Sequence, residues 1–222
     1  MKKTTTILCL GIALCMLGCS DDDDQVTTTS TVPFSLTASL SPRSSDAEDT
    51  GILQGNWDAN SQLAVIKTGS SGVPKSILTR KTDSSDTFTG NLSTLVKNEN
   101  EIAVFYPAAA ITANSSDTLT QTLNLSGQDG TLAGITNYDY LWAQCKAGMN
   151  ETTGSSACEM TSLVTIGKFQ FTVNGGSPLN NITRITITAT AGTLYSSAVM
   201  KLKNGEFSST QTGNITIKNK AG

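Results

Sequence analysis

The chain has 222 residues and a mass of 23.2 kDa, with 15 Lys and Arg against 18 Asp and Glu and no histidine. Without histidine there is no Ser-His-Asp or Cys-His nucleophile and no imidazole metal ligand, and a net charge of −3 with a pI near 4.9 argues against nucleic-acid binding, which needs a concentrated basic face. Ser and Thr make up about a quarter of the residues and only 15% are charged, a composition suited to extracellular β structure.

The N-terminal residues read as an address. Lys2 and Lys3 precede an apolar run from Ile7 to Leu17, too short to span a bilayer as a helix but right for the apolar region of a secretory signal. Met16-Leu17-Gly18-Cys19 resembles the bacterial lipobox, in which a small residue precedes a cysteine that becomes lipidated and N-terminal. Residues 1–18 are therefore expected to be a lipoprotein signal peptide and Cys19 the lipid attachment site. Ser20 and Asp21 to Asp24 resemble the acidic signal that sends lipoproteins to the cell surface in Bacteroidetes. Residues 19–32 then form the lipidated cysteine and an acidic, Thr-rich tether, long enough to reach at most roughly 45 Å. The expected location is the outer membrane, lipid-anchored and surface-exposed.

The rest of the chain reads as β structure. Phe34, Leu36, Ala38 and Leu40 alternate with polar residues, and Pro33 is placed at the first strand position, where proline is tolerated. Gln62 to Thr68 is a second strand. Ser76 to Lys81 and Thr87 to Leu92 form a hairpin around Asp83-Ser84-Ser85-Asp86. Glu101 to Tyr106 is the most apolar strand and stops at Pro107. Strands follow at Leu119–Leu125, Tyr138–Ala143, Leu163–Val173, Asn181–Ala189, Leu194–Leu202 and Asn214–Lys218, separated by turn residues such as Gly127 to Gly130. No amphipathic helix is apparent. Many short strands with regular turns predict an all-β, antiparallel β-sandwich.

Two cysteines remain after the signal and the lipid site are set aside. Cys145 and Cys158 flank a Gly-, Asn- and Ser-containing segment expected to be a loop. In an oxidising compartment they are expected to pair. A disulfide there would stabilise the fold by roughly 3 kcal/mol in the chain-entropy model.

Several pieces in order resemble the fimbrillin-like surface lipoproteins of the Bacteroidales. They are the lipobox and acidic run, the first strand leading into Arg43, Trp57-Asp58 before the second strand, and Phe105-Tyr106-Pro107. Gln128-Asp129-Gly130-Thr131 is followed by Tyr138-Asp139-Tyr140-Leu141-Trp142-Ala143, and Lys168 to Val173 precedes Ile182 to Ile187. The resemblance implies a Greek-key, transthyretin-like sandwich at 33–175 and, at 176–222, the start of an incomplete second β domain, since members are usually longer. It also implies that an arginine-specific protease cuts after Arg43, leaving Ser44 first and removing the anchor with the first strand. Another fimbrial subunit, of the same or a related kind, would then donate a strand to the open groove, and the fibre would serve in adhesion. Asp117-Thr118-Leu119 is similar to the O-glycosylation sequence of Bacteroidetes surface proteins, which marks Thr118.

Chemistry is expected to be absent. Asp46, Glu48 and Asp49 read as a solvated loop cluster, and the spacing of Asp83 and Asp86 is not a calcium-loop pattern. No catalytic residue, metal or cofactor is expected. The alternative to a fimbrial subunit is a monomeric, surface-anchored glycan-binding lipoprotein that uses Trp57, Trp142, Tyr138 and Tyr140 as a stacking platform.

Overall fold

The structure is a computed structural model and describes residues 30–40, 57–69, 72–81, 86–111, 120–131, 134, 137–164, 176, 182–191 and 194–218. Thirteen strands are named in it: β1 (Thr31–Leu40), β2 (Gln62–Lys67), β3 (Ser76–Arg80), β4 (Thr87–Ser93), β5 (Glu101–Tyr106), β6 (Thr120–Asn124), β7 (Leu141–Lys146), β8 (Gly148–Met149), β9 (Gly154–Ser162), β10 (Arg184–Ile187), β11 (Tyr195–Lys201), β12 (Phe207–Thr212) and β13 (Ile215–Lys218). The expected all-β class therefore holds.

The main sheet runs β1-β4-β3-β2-β5-β7-β9-β8, and β1 also pairs with β9. That second pairing joins the two ends of the row, so seven strands close into a barrel-like ring with β8 as an appendage on β9. This replaces the expected separate sheets of an antiparallel sandwich. The closing pair also departs from the expected antiparallel pattern: β1 and β9 run parallel, in register from Phe34↔Gly154 to Leu40↔Met160. The physical reason is parity. An odd ring of strands cannot alternate direction all the way round, so one pair must be parallel.

Burial follows the pleat of each strand. In β1 the side chains of Val32, Phe34, Leu36 and Ala38 are buried. Phe34, Leu36 and Ala38 share the barrel interior with Leu63, Val65, Leu78, Phe88, Leu92, Ile102, Val104 and Met160. Pro33 lies inside β1 rather than at its first position, opposite Asn91 of β4. It is tolerated because the ladder to β9 begins only at Phe34, so Pro33 is paired on one side.

β2 and β5 are buried on both faces. Leu63, Val65, Ile102 and Val104 point inward, whereas Ala64, Ile66, Ala103 and Phe105 point outward into a second core. This explains the unbroken apolar runs in both strands. The second core is covered by Leu123 of β6, Met200 and Leu202 at the end of β11, and Ala108 and Ile111 at a 3₁₀ turn over Ala108–Ala110. β11 lies between β12 and β6, both antiparallel to it. β10 and β13 make a separate ribbon that pairs Ile185 with Ile217 and Ile187 with Ile215. Their isoleucines thus find each other, and the Lys218 N–H donates to the Gln128 carbonyl at 3.0 Å.

The largest departure from expectation is at 146–162. The segment expected to be a loop between the cysteines is a hairpin. Asn150 Oδ1 accepts from the Thr152 and Thr153 backbone N–H groups at 2.9 and 2.7 Å, which turns the chain between β8 and β9. The aromatic strand starts at Leu141, not Tyr138. β12 carried no expectation, and most of the expected strand Leu163–Val173 lies outside the described residues.

The two faces of β1 set up a direct comparison. Leu36→Ala removes a side chain with no exposed surface and is expected to cost about 2–5 kcal/mol of stability. Thr37→Ala, on the exposed face one residue later, should change it by about 0.5 kcal/mol or less. Urea unfolding of the two variants checks this, and equal effects would contradict the assigned burial.

Candidate functional site: the slot that holds the first strand

β1 lies in a slot with β4 on one side and β9 on the other. Seven register pairs join it to each neighbour, from Thr31↔Ser93 to Thr37↔Thr87 on β4 and from Phe34↔Gly154 to Leu40↔Met160 on β9. The slot is closed at both ends by further hydrogen bonds. At the start of β1, the Ser30 carbonyl accepts from the Thr94 N–H at 2.8 Å and the Thr94 hydroxyl at 3.0 Å. At the far end, the Ala38 N–H donates to the Asp86 carbonyl at 2.8 Å.

Trp57 completes the far end. Its Nε1–H donates to the Ala38 carbonyl at 2.7 Å in a buried bond. The indole is held edge-on by Phe88 and Tyr106, with ring centroids 5.0 and 5.3 Å away, and the Arg80 guanidinium donates to the Trp57 carbonyl. The described chain leaves at Leu40 and resumes at Trp57, directly against Ala38. The end of β1 and Trp57 are thus side by side. Tyr106 reaches toward Ser61, and burial pushes its hydroxyl up to about 12, so it is neutral at physiological pH.

Cys145 on β7 and Cys158 on β9 meet beside the slot. The β7–β9 ladder contains Leu141↔Ser162 and Trp142↔Thr161, and the β8–β9 ladder contains Gly148↔Ser155 and Met149↔Gly154. Both stretches keep one register, which places Cys145 directly opposite Cys158. The two are half-buried thiols within hydrogen-bonding reach of each other. Cys158 is also the register partner of Ala38, so the pair stands next to the far end of β1. The hydrogen bond from Cys158 lowers Cys145 to about 7, helped by Ser156, whose hydroxyl lies 3.3 Å from the Cys145 sulfur. The shared proton stays with Cys158, whose thiol is pushed up by that contact and by burial.

Other expected site residues are not placed. Cys19, Arg43, Ser44 and Thr118 lie outside the described residues, as does the Asp46, Glu48 and Asp49 cluster. Arg80 and Arg184 lie within β3 and β10. The aromatic residues considered for sugar stacking do not form an exposed platform. Trp57 is in the core. Tyr140 is buried and donates its hydroxyl to the Asn124 carbonyl at 3.0 Å. Trp142 is half-buried against Gly205, where an added Cβ would come within 2.8 Å of the ring. Among the described residues no group of three or more His, Cys, Asp or Glu could hold a metal ion.

Sequence reasoning missed β9, the strand that completes the slot. Its residues (Gly154 to Ser162) are small and polar, and its inward positions Gly154, Ser156 and Cys158 carry little apolar surface. The turn signal at Asn150 was the available clue.

No protein family and no curated protein matches the chain. Two solved structures align with the chain. A "putative cell adhesion protein" from Bacteroides ovatus aligns with a TM-score of 0.51 and 15% identity, over 85% of this chain and 72% of that one. A fimbrial assembly protein from Parabacteroides distasonis aligns with a TM-score of 0.41 and 11% identity, over 85% and 77%.

Two measurements probe this geometry. Trp57→Phe keeps the ring but leaves the Ala38 carbonyl without its buried donor, and should cost about 1–3 kcal/mol in urea unfolding. Brief iodoacetamide labelling of the reduced protein should modify Cys145 before Cys158. The Cys145 rate should be half-maximal near pH 7 instead of near the ordinary thiol value of 9.0. Equal labelling of both thiols would contradict the shared-proton arrangement.

Proposed function

We propose that this chain is a structural subunit or accessory component of bacterial fimbriae, made as a lipid-anchored precursor and assembled by strand complementation. In this reading Cys19 carries the lipid and holds the precursor at the outer membrane surface. An arginine-specific protease cuts after Arg43, and Ser44 becomes the new N-terminus. The processed subunit serves in adhesion and needs no catalytic residue or cofactor.

The observation that supports this most is the position of β1. It lies on the anchor side of Arg43, and its other ties to the fold are non-covalent. One cut between Leu40 and Trp57 would leave it held by hydrogen bonds and packing alone. Its loss would leave backbone groups of β4 and β9 unpaired and expose the barrel interior to water. A strand from another subunit repairs both defects, because its backbone replaces the ladder and its alternate side chains refill the core. The fold likeness to the Bacteroides ovatus protein fits such a role.

The thiol pair has a part in this reading. Cys145 attacks a protein disulfide donor as a thiolate, and Cys158 then displaces that donor, which leaves as its reduced dithiol. The resulting bond ties β9 to β7, so β9 stays in place while β1 is absent. Thr118 is the proposed glycan attachment site. The interior positions of Trp57 and Tyr140 weigh against a sugar-stacking module.

Arg43→Lys preserves the charge and removes the cut. Residues 20–222 treated with an arginine-specific protease should yield a fragment beginning at Ser44 and assemblies larger than the monomer on size exclusion. The Arg43→Lys chain should remain an intact monomer. Cleavage at another arginine first, or a wild-type chain that resists the protease, would overturn the proposal.

A further inference from the structure

We infer that the slot reads the side-chain pattern of the strand that fills it, through an aromatic pocket framed by Gly90 and Gly154. This rests on the strand-exchange reading above and names the occupant: an extended segment with an aromatic residue, then an aliphatic one, then a small one, at alternate positions.

Phe34 is the register partner of Gly90 on β4 and of Gly154 on β9. Both glycines stand on the inward side of their strands, in the rows that carry Phe88 and Leu92 on β4 and Cys158 and Met160 on β9. A glycine in a strand interior weakens the strand and marks close approach by another group. Here that group is the phenyl ring. A Cβ on Gly154 would fall 2.7 Å from Phe34 Cδ2 and would collide with Met149 Sδ. The ring occupies the volume that a side chain at 154 would take, and the Met149 thioether sits over the same spot. Gly90 has its own reason to be small, since an added Cβ would lie 2.6 Å from the Ile77 carbonyl oxygen of β3. No larger residue fits on either side of Phe34.

The neighbouring positions carry a different size code. Leu36 is flanked by Phe88 and Ser156, so one wall is already filled. Ala38 faces Cys158 on one side, and its carbonyl is bound by Trp57. The slot is widest at Phe34, intermediate at Leu36 and narrowest at Ala38. A strand shifted by two residues would put a large ring at the narrow end or leave the wide end empty. A shift by one would turn its apolar face to water. Among the described strands, β1 alone has this alternation. β13, with Ile215 and Ile217, offers two aliphatic side chains and no ring.

The test uses residues 20–222 cleaved after Arg43 and fluorescent ten-residue peptides, with anisotropy as the readout. The β1 peptide TVPFSLTASL should enter the slot. A peptide with Phe34→Ala should bind at least about tenfold more weakly, and one with Thr37→Ala about equally well. In protein carrying Gly154→Ala the ranking should invert, with a Phe34→Leu peptide displacing the native one. Equal binding of the native and Phe34→Ala peptides, or an unchanged ranking in the Gly154→Ala protein, would overturn the pocket. Failure of every peptide to enter would count against strand exchange itself. The pocket is then decided in the uncut chain: Gly154→Ala should lower Tm, and adding Phe34→Leu should recover part of the loss. A double variant no more stable than Gly154→Ala alone would overturn it.

Discussion

The closure of the ring between β1 and β9 is the constraint on which the rest of the structure depends. Every other pair in the main sheet joins strands that follow the dividing wall of the barrel antiparallel to each other. The last pair cannot, because the strand count is odd. The parallel seam brings the N-terminal strand against a strand more than a hundred residues later, so the barrel interior is sealed by a non-local contact. Such contacts cost loop-closure entropy before they return any stabilisation. The seam is correspondingly well provided for. Four buried side chains of β1, its ladder bonds on both sides, and the Trp57 bond to Ala38 all act on the same ten residues.

The seam also explains features that look unrelated in isolation. β9 carries glycine, serine and cysteine on its inner row because β1 fills the space in front of it. The thiols of Cys145 and Cys158 meet because the β7–β9 hairpin keeps one register from its open end to the β8 turn. Trp57 is buried, although it lies directly after residues 41–56, because its indole substitutes for a ladder partner where the β1–β4 register stops at Thr37. The second core, over Ala64, Ile66, Ala103 and Phe105, lies on the opposite side of β2 and β5. It anchors the β6-β11-β12 sheet, and no residue of β1 belongs to it.

Under the proposed strand exchange, β1 would have to satisfy two opposing demands. It must complete the fold well enough to hold the precursor in one state, and it must be replaceable by a strand of different origin. Main-chain pairing serves both demands, since any extended segment can supply it. On that reading, side chains are where the two occupants would be told apart. The inferred difference in width between the Phe34 and Ala38 positions would give the slot a direction and a register.

Local pattern alone determined much of this protein. The alternation in β1, the hairpin of β3 and β4, and the doubly apolar runs of β2 and β5 each arise from contacts that repeat within a few residues, and periodicity reports them. That Cys145 and Cys158 stand opposite each other, as free thiols, was decided by the β7–β9 register. Tertiary structure alone decided the ring, the parallel seam and β9. An inward row of glycine, serine and cysteine has no apolar period of its own, because the apolar surface at those positions comes from Phe34, Leu36 and Ala38, residues that lie far away in the chain. The slot is therefore written half in β1, where a sequence shows it, and half in the space that β9 leaves empty, which only the folded chain defines.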